Sequence, residues 1–468
     1  MKVIILGIDG LENDILEKYS SELPNFAIIK EKGYLGKINS VFPADSVPAW
    51  LTIFTGLNPA EHGIIRGKDY VQSVEDFEKK YSFKLEGNTF WDKVSHKKLK
   101  CLILNPFLAY PSWPINGLMI SGPAFIEGTI SKFPVNTVCN SAVYGGYKPM
   151  QFRNLKEDLI TALNDTKMLW KEYKAHSKEV DYDLSFITFT TLDRIQHYTW
   201  RFNDEKDPLH EKDPFLSGLI KETLIFLDSC IGEVLSTMNN DDKLVIVSDH
   251  GFGQRPYNLI NLNELLRQEG LLQLVAGGKK SNTRLKQKIR NIAIKFFSDL
   301  KILDTVAGQL KKLPAISKYK KSGFLIDKAN SICYVDEFFN GKNPYCGLNF
   351  GEKLKNSSEV DKQEVIEKLK SIFKNNPGLP DLLWIKFSHE IYKGKYVDRY
   401  PDICMELAEG NGLEFDLFGK VNTQSVSHYK ISGGHRNPGV LGTFSRSGVI
   451  TDIDSLEKFH DLITSFFD

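Results

Sequence analysis

Residues 243–253 read KLVIVSDHGFG and carry the clearest structural signal in the chain. Four apolar residues and a serine lead into Asp249 and His250, and two glycines follow at positions 251 and 253. A short unbroken apolar run is typical of a parallel strand that is covered on both faces. Two strong metal ligands directly after such a strand can reach one cavity, because the chain has just left the sheet and glycine permits a sharp exit. The stretch therefore predicts a buried strand that delivers functional side chains to a sheet edge.

The same pattern recurs along the chain. Short apolar runs predict strands at Val3–Ile8, Lys100–Leu104, Leu118–Ile120, Leu184–Thr190 and Lys243–Ser248. Longer amphipathic stretches lie between them, and the clearest predicted helices are Leu155–Ser177 and Phe215–Met238. Strands that alternate with helices predict an α/β fold, a three-layer sandwich around a mostly parallel central sheet.

Composition excludes several classes of protein. The 468 residues include 60 Lys and Arg against 59 Asp and Glu, so a globally basic nucleic-acid coat and an acidic tail are both excluded. The six cysteines are far apart and form no CxxC pair, which argues against a disulfide scaffold. No apolar run approaches the roughly eighteen residues of a membrane helix. The N-terminal MKVIILGIDG is interpreted as the first strand rather than a signal peptide, so a cytoplasmic protein with reduced thiols is expected.

One basic segment differs from the rest. Thirteen Lys and Arg lie between positions 277 and 322, and only Asp299 and Asp304 oppose them. Apolar residues recur there at helical spacing, which predicts a basic amphipathic insertion or cap over 271–322 on a catalytic core of 1–270 and 323–468. Two interpretations stay open. The cations form a solvated face over a packed apolar stripe, or residues 279–321 make a weak contact with an anionic surface.

Candidate metal ligands follow other strands and turns. Asp9 ends VIILGIDG, Asp193 and His197 share a helix face in FTTLDRIQHYTW through their i, i+4 spacing, and His435 follows paired glycines in ISGGHRNPG. Each of them, taken alone, could also be a helix cap, a turn residue or a packed histidine. Three carboxylates and three imidazoles are what two divalent ions sharing a site would use, and the lack of cysteine favours zinc or manganese. The full set is Asp9, Asp193, His197, Asp249, His250 and His435.

A candidate nucleophile lies in PADSVPAWLTIFTGLNPAEHGI, residues 43–64. Ser46 stands two residues before Pro48, and proline is favoured in the first turn of a helix. Ser46 is therefore either a helix N-cap or a nucleophile at a helix N-terminus, where N–H groups and the helix dipole attract phosphate. A hydroxyl held there by a metal ion loses its proton more easily. His62 is interpreted as a structural residue that closes the following turn.

Five motifs in order resemble those of the type I phosphodiesterase / nucleotide pyrophosphatase family, in the alkaline phosphatase superfamily. They are GIDG, PADSVPAWLTIFTGLNPAEHGI, TLDRIQHYTWRF, VSDHGFG and SGGHRNPG, and the resemblance runs from Val3 to about Gly448. It implies an alkaline phosphatase-like core with two divalent metal ions, usually zinc, with manganese as the alternative. It also implies that Ser46 attacks phosphorus to form a phosphoseryl intermediate, which water then hydrolyses. By this resemblance one ion is held by Asp9, Ser46, Asp249 and His250, and the other by Asp193, His197 and His435.

The chain departs from the family pattern at two places. Relatives of the nucleotide pyrophosphatase type usually carry threonine where this chain has Ser46, and serine supports the same chemistry. They often place an asparagine shortly after the HGI turn, where this chain reads HGIIRGKDY with Arg66 and Lys68. Either cation contacts the substrate phosphate, Arg66 in bidentate fashion, or both are surface charges. Nucleotide specificity is therefore not implied.

These residues leave three functions open. The first is a metal-dependent hydrolase that cleaves phosphodiester or pyrophosphate bonds in a small-molecule phosphate ester. The second is a phosphomonoesterase or phosphomutase of the same superfamily; core strands are predicted between Ser46 and Asp193, where a mutase would carry a large inserted domain. The third is a non-catalytic binding protein, which the intact set of candidate ligands disfavours. No nucleic-acid module is recognised, since the basic segment lacks interleaved stacking residues. The oligomeric state is not indicated.

Overall fold

The computed structural model describes residues 1–67, 84–124, 129–140, 144, 150, 154–275, 326–336, 344–414, 417–448, 450 and 452–468. Its central sheet has eight strands in these ranges. In spatial order they are β2 (Tyr34–Ile38), β17 (Gly439–Ser445), β7 (Lys243–Val247), β1 (Val3–Ile8), β6 (Leu184–Phe189), β3 (Cys101–Leu104), β4 (Gly117–Ser121) and β5 (Ser131–Phe133). The five strands from β7 to β4 are parallel, whereas β2, β17 and β5 join antiparallel.

Helices cover both faces of this sheet. The alternation of side chains along β1 shows why, because Val3 and Ile5 pack into one hydrophobic cluster while Leu6 and Ile8 pack into another. The first layer contains α3 (Ser46–Thr55), α5 (Phe90–His96) and α13 (Phe459–Ser465). The second contains α1 (Asn13–Lys18), α2 (Pro24–Lys32), α6 (Leu155–Glu179), α7 (Thr191–Asn203) and α8 (Pro214–Thr237). The predicted three-layer α/β sandwich is therefore confirmed.

A second group of strands follows the central β7. Strands β8 (Gly251–Gln254) and β16 (Gly433–Arg436) form a two-stranded ribbon beside the sheet edge. A three-stranded sheet consists of β14 (Asn411–Glu414), β9 (Asn258–Asn261) and β15 (Asn422–Gln424). A four-stranded antiparallel sheet consists of β10 (Cys333–Val335), β11 (Tyr345–Phe350), β13 (Ile403–Leu407) and β12 (Leu382–Phe387). Further helices complete the described chain: α4 (Pro59–His62), α9 (Leu262–Gln268), α10 (Glu352–Lys355), α11 (Glu359–Asn375), α12 (Ser388–Ile391) and 3₁₀ turns at Ser20–Glu22, Val397–Arg399, Val426–Tyr429 and Leu456–Lys458.

The four-stranded sheet packs into a third hydrophobic cluster, which it shares with residues of β9, β14 and α9. Leu348, Ile403 and Met405 from its strands pack with Leu369 and Phe373 of α11. The sequence patterns do not predict this sheet, whose residues lie within the catalytic core expected over 323–468.

The predicted basic insertion lies largely outside the described residues, which stop at 275 and resume at 326. The flanking residues Leu274 and Ile326 form an antiparallel bridge, and Asp327 N–H donates to Gln273 O at 2.9 Å. The domain boundaries therefore stay a prediction.

Within the described ranges, no helix combines the length and the apolar character that crossing a bilayer would require.

Candidate metal centre and active site

Two aspartates meet at the carboxyl edge of the central sheet. Asp9 directly follows β1, and Asp249 lies two residues after the neighbouring parallel strand β7. Gly10 N–H donates to Asp249 Oδ1 at 3.2 Å, and Trp50 Nε1–H donates to Asp9 Oδ2 at 3.3 Å. Both carboxylates are buried. Parallel strands end at the same edge, so residues 240 positions apart in the chain are adjacent in space.

His250 completes a first cluster with these aspartates. Its Nε2 lies 3.2 Å from Asp249 Oδ2 and 3.6 Å from Asp9 Oδ1. One potential ligand atom from each of the three residues lies within 4.8 Å of the others. These three side chains, Asp9, Asp249 and His250, are called the first cluster below.

The second cluster consists of Asp193, His197 and His435. Asp193 and His197 lie in the first two turns of α7, where their i, i+4 spacing puts them on one face as predicted. His435 lies on β16, opposite Phe252 of β8. Asp193 Oδ1 is 3.4 Å from His197 Nε2 and 3.3 Å from His435 Nε2.

The three imidazoles of these clusters are oriented in the same way. Each Nδ1 contacts a backbone carbonyl, so Nδ1 carries the proton and donates it. Each Nε2 then presents a lone pair to the centre of its cluster, the arrangement that metal-binding histidines adopt. The three contacts are His250 with Gly251 O at 3.0 Å, His197 with Gly433 O at 2.9 Å and His435 with Ala44 O at 3.2 Å. His197 Nε2 and His435 Nε2 are only 3.0 Å apart, so their lone pairs require a shared proton or cation between them.

Three carboxylate oxygens at these clusters are also without a hydrogen-bond donor. Among the described residues, no hydrogen bond reaches the buried atoms Asp9 Oδ1, Asp193 Oδ1 and Asp249 Oδ2. An unsatisfied buried oxygen is costly, and a buried charge more so, unless a cation compensates it. Because these orphan oxygens face the lone pairs of the imidazoles, the donor set fits divalent cations at both clusters.

The pKa directions agree with this arrangement. Burial, reinforced by the Asp193 charge, raises the pKa of Asp249 to about 7. Burial and the Asp249 charge hold the pKa of Asp9 well above its ordinary value. Burial also holds the pKa of His250 well below its ordinary range. Burial lowers the pKa of His435 as well, but the contact with the Asp193 carboxylate outweighs it and raises the pKa above its ordinary value, so a proton would stand in for a cation there.

Ser46 is the first residue of α3, and its hydroxyl lies at the first cluster. Its Oγ is 3.0 Å from His250 Nε2. The helix cap is Asp45, whose Oδ1 accepts from Val47 N–H at 3.0 Å. The interpretation of Ser46 as the N-cap is therefore wrong by one residue. Because Asp45 caps the helix, the Ser46 hydroxyl is available to the cluster.

The two clusters adjoin each other. The rings of His250 and His435 stack with centroids 3.9 Å apart, and Phe252 packs edge-on against His197 at 4.9 Å. The structure thus brings together all seven residues that the sequence analysis selected as metal-binding or nucleophilic. Their roles as metal ligands and nucleophile stay predictions.

Of the two cations predicted to bind substrate, the structure describes Arg66. Arg66 is half-buried, and the next residue, Gly67, donates its N–H to Asp45 Oδ2 at 3.3 Å, which attaches this loop to the start of α3. Lys68 lies outside the described residues. The contact of either side chain with a substrate stays a prediction.

Several positioning groups were not found from the sequence. The carbonyls of Ala44, Gly251 and Gly433 orient the imidazoles, yet every residue has a carbonyl, so residue type gives no signal. Ser248 has a weak signal, since it directly precedes Asp249; its Oγ accepts from Leu11 N–H at 2.9 Å and donates to His250 O at 2.6 Å. Ser40 donates its hydroxyl proton to Asp249 O.

Comparison with known proteins gives relatives of low sequence identity. Ectonucleotide pyrophosphatase/phosphodiesterase family member 3 of Mus musculus is 24% identical over 266 residues, which is 54% of this chain and 25% of that protein. Member 1 of the same family from Mus musculus is 23% identical over 287 residues, 58% of this chain and 26% of that protein. The chain thus matches about a quarter of the length of these relatives.

A solved structure with a similar fold is the phosphonoacetate hydrolase of Sinorhizobium meliloti 1021 in complex with phosphonoacetate. Its TM-score is 0.56 at 12% sequence identity, and the alignment covers 100% of this chain and 96% of that one. This likeness concerns the fold alone. The sequence profile of the type I phosphodiesterase / nucleotide pyrophosphatase family matches residues 3–322, more than half of the chain. The chain therefore belongs to the type I phosphodiesterase / nucleotide pyrophosphatase family.

Proposed function

We propose that the chain is a metal-dependent hydrolase of phosphoric esters that prefers phosphodiester or pyrophosphate bonds and uses Ser46 as its nucleophile. The observation that carries the proposal is the position of Ser46 Oγ, 3.0 Å from His250 Nε2 and at the N-terminus of α3. Family membership supports phosphoester hydrolysis.

The first cluster and Ser46 would hold one divalent ion, and the second cluster would hold another. Carboxylate and imidazole donors without cysteine suit zinc, with manganese as the alternative. When bound, such ions supply positive charge to the phosphoryl oxygens and lower the pKa of a nearby hydroxyl. The orphan oxygens Asp9 Oδ1, Asp193 Oδ1 and Asp249 Oδ2 support this assignment.

The protein's own groups prepare the attack. His250 Nδ1–H donates to Gly251 O, so Nε2 directs its lone pair to the cluster centre beside Ser46 Oγ, where both atoms would hold the first ion. The Ser46 proton would then pass to water. The positive end of the α3 dipole favours an anionic phosphoryl group beside Ser46. Ser46 Oγ then forms a bond to phosphorus while the bond from phosphorus to the leaving oxygen breaks.

The second half of the reaction releases the product. Water attacks phosphorus of the phosphoseryl group, the bond to Ser46 Oγ breaks, and the hydroxyl regains its proton. A phosphodiester thus yields an alcohol in the first half and a phosphate monoester in the second. Arg66, on the loop that Asp45 holds, is proposed to contact the non-reacting phosphoryl oxygens.

The proposal is tested with protein that is stripped of metal and then reloaded with zinc or manganese. We expect faster turnover of bis-p-nitrophenyl phosphate than of p-nitrophenyl phosphate. Ser46→Ala should lower this turnover by on the order of a thousandfold or more, because it removes the nucleophile. Ser229→Ala, at an exposed serine of α8, is the matched control and should keep wild-type turnover.

Acid quenching during turnover, followed by peptide mass spectrometry, should recover phosphate on the peptide that contains Ser46. Full activity of Ser46→Ala would remove Ser46 from the mechanism. A preference for the monoester would favour the phosphomonoesterase hypothesis instead. An inactive reloaded wild-type protein would contradict the proposal as a whole.

A further inference from the structure

The chain between β12 and β13 contacts the loop that carries Ser46. This segment, residues 388–400, is called the brace. Phe42 N–H donates to the hydroxyl oxygen of Tyr392 at 2.8 Å, and the Tyr400 hydroxyl donates to Phe42 O at 2.8 Å. Two tyrosine hydroxyls therefore hold both polar backbone groups of one residue, and their rings lie 5.9 Å apart.

Phe42 is close in the chain to the groups that define the active site. It precedes Ala44, whose carbonyl accepts from His435 Nδ1 at 3.2 Å, and Ser46, whose Oγ contacts His250. The Phe42 ring is itself held edge-on by Trp384, with centroids 4.9 Å apart. Any shift of the Phe42 peptide would therefore be passed along four residues to the Ser46 hydroxyl and would also disturb His435.

The brace also contacts the chain beyond the other end of α3. Tyr396 N–H donates to Ala60 O at 2.8 Å, and Asn58 Nδ2 donates to Lys393 O at 3.1 Å. The Arg399 guanidinium donates to Gly63 O. Helix α3 thus lies between two stretches of chain that the same segment holds, residues 42 and 58–63.

The packing around these contacts is a small cluster apart from the large cores. Tyr392 and Tyr400 are 9% and 5% exposed, and they pack with Ala60 of α4, with Ile65 and with Cys404 of β13. A hydroxyl removed from such a buried pair leaves the Phe42 N–H or C=O without its partner, and no water replaces it easily. The cluster therefore connects the four-stranded sheet to the nucleophile loop.

We propose that Tyr392 and Tyr400 are positioning residues that hold the Phe42 peptide and thereby keep Ser46 Oγ beside His250 and Ala44 O beside His435. This inference rests on the proposed function, because it concerns the placement of the proposed nucleophile. By these contacts the four-stranded sheet supports the Ser46 loop, in addition to the support that the central core provides.

The kinetic test compares Tyr392→Phe, Tyr400→Phe and the double variant with Tyr19→Phe. Tyr19 is a matched control, because its hydroxyl makes one 3.0 Å hydrogen bond to Asn203, at the far end of α7 from Asp193. We expect kcat of the double variant on bis-p-nitrophenyl phosphate to fall roughly tenfold to a hundredfold, since small displacements of a nucleophile are costly. KM, bound metal and the fraction of folded protein should stay at wild-type values, and the control should keep wild-type kcat.

A second measurement does not depend on activity. Hydrogen exchange at the Phe42 amide should be fast in Tyr392→Phe and slow in the wild type and in Tyr19→Phe. An inactive wild-type enzyme would contradict the proposed function, while the exchange result would still decide whether the tyrosines hold the loop. The inference is overturned if kcat of the double variant equals that of the wild type, if kcat falls only in proportion to lost metal or folded protein, or if Phe42 exchange is unchanged. If the double variant does not fold, the two single variants decide by the same criteria.

Discussion

Replacing Gly433 by alanine should move the candidate ligands of the second cluster apart, although none of these ligands is itself substituted. Gly433 lies on β16, and its carbonyl accepts from His197 Nδ1 at 2.9 Å. A Cβ atom at this position would lie 2.4 Å from Gln196 O and 2.4 Å from Phe252 Cε1. Neither neighbour can move alone, because Gln196 O belongs to the backbone of α7 and the Phe252 ring packs against His197.

The size of the effect follows from these distances. Carbon atoms in contact are normally about 3.5–4.0 Å apart, so the methyl group requires roughly 1 Å of separation between β16 and α7. These two elements carry His435 on one side and Asp193 with His197 on the other. Metal sites tolerate ligand displacements of about 0.2 Å. We therefore expect the second cluster to lose its metal, kcat/KM to fall by about a hundredfold, and overpacking to destabilise the fold by about 1–3 kcal/mol.

The neighbouring glycine is a matched control. A Cβ at Gly434 would lie 3.4 Å from Arg255 Cβ, an ordinary contact, because this residue faces the opposite side of β16. Gly434→Ala should therefore keep wild-type metal content and activity. The assay measures bound metal by elemental analysis, turnover of bis-p-nitrophenyl phosphate and the unfolding midpoint. Wild-type metal content and turnover in Gly433→Ala, or equal losses in both variants, would refute the reasoning.

Two further predictions concern metal and pH. Chelation should lower the free energy of unfolding measured by chemical denaturation, because buried carboxylate oxygens lose their partner. Zinc or manganese at a hundredfold excess over Kd should restore about 2.7 kcal/mol. The Asp249→Asn variant should recover less, and an equal recovery would contradict the ligand assignment. Burial lowers the pKa of His62 to about 3, so the unfolded chain binds the extra proton between that value and 6.5. Stability should consequently fall as the pH drops below 6.5, by about 1.4 kcal/mol per pH unit from this residue. His62→Gln should show a shallower decline in urea unfolding between about pH 4 and 6.5, and parallel declines would remove His62 as the cause.

The geometry of His62 explains that direction. Its Nδ1 accepts from Ile64 N–H at 3.1 Å, and its Nε2 lies 3.3 Å from the Thr52 hydroxyl. The neutral ring satisfies both contacts, whereas a proton added to Nδ1 would remove the acceptor of the Ile64 N–H. His62 is thus the last residue of α4 and contacts the turn that follows, as its interpretation from the sequence proposed.

Local patterns in the sequence determined much of the fold. Strand β1 has the predicted bounds Val3–Ile8, and the predicted helix Leu155–Ser177 extends to Glu179. Such elements can be predicted because the periodic spacing of apolar residues lies within a single segment of the chain. The antiparallel strands β2 and β17 and the four-stranded sheet escaped prediction, because their pairing depends on partners far along the chain. Leu441, for example, pairs with Gly36 and Val247.

By itself the sequence also determined which residue types were available for chemistry: Ser46 in its helix-start motif, Asp193 and His197 one helical turn apart, and the Asp249–His250 pair after a strand. Only the tertiary structure decided that these groups meet, since contacts between positions separated by some 200 residues depend on how sheets and helices pack. It alone decided which carbonyls orient the imidazoles and that two tyrosines hold Phe42. Backbone groups are the same in every residue, so their partners are chosen by packing and leave no trace in residue type.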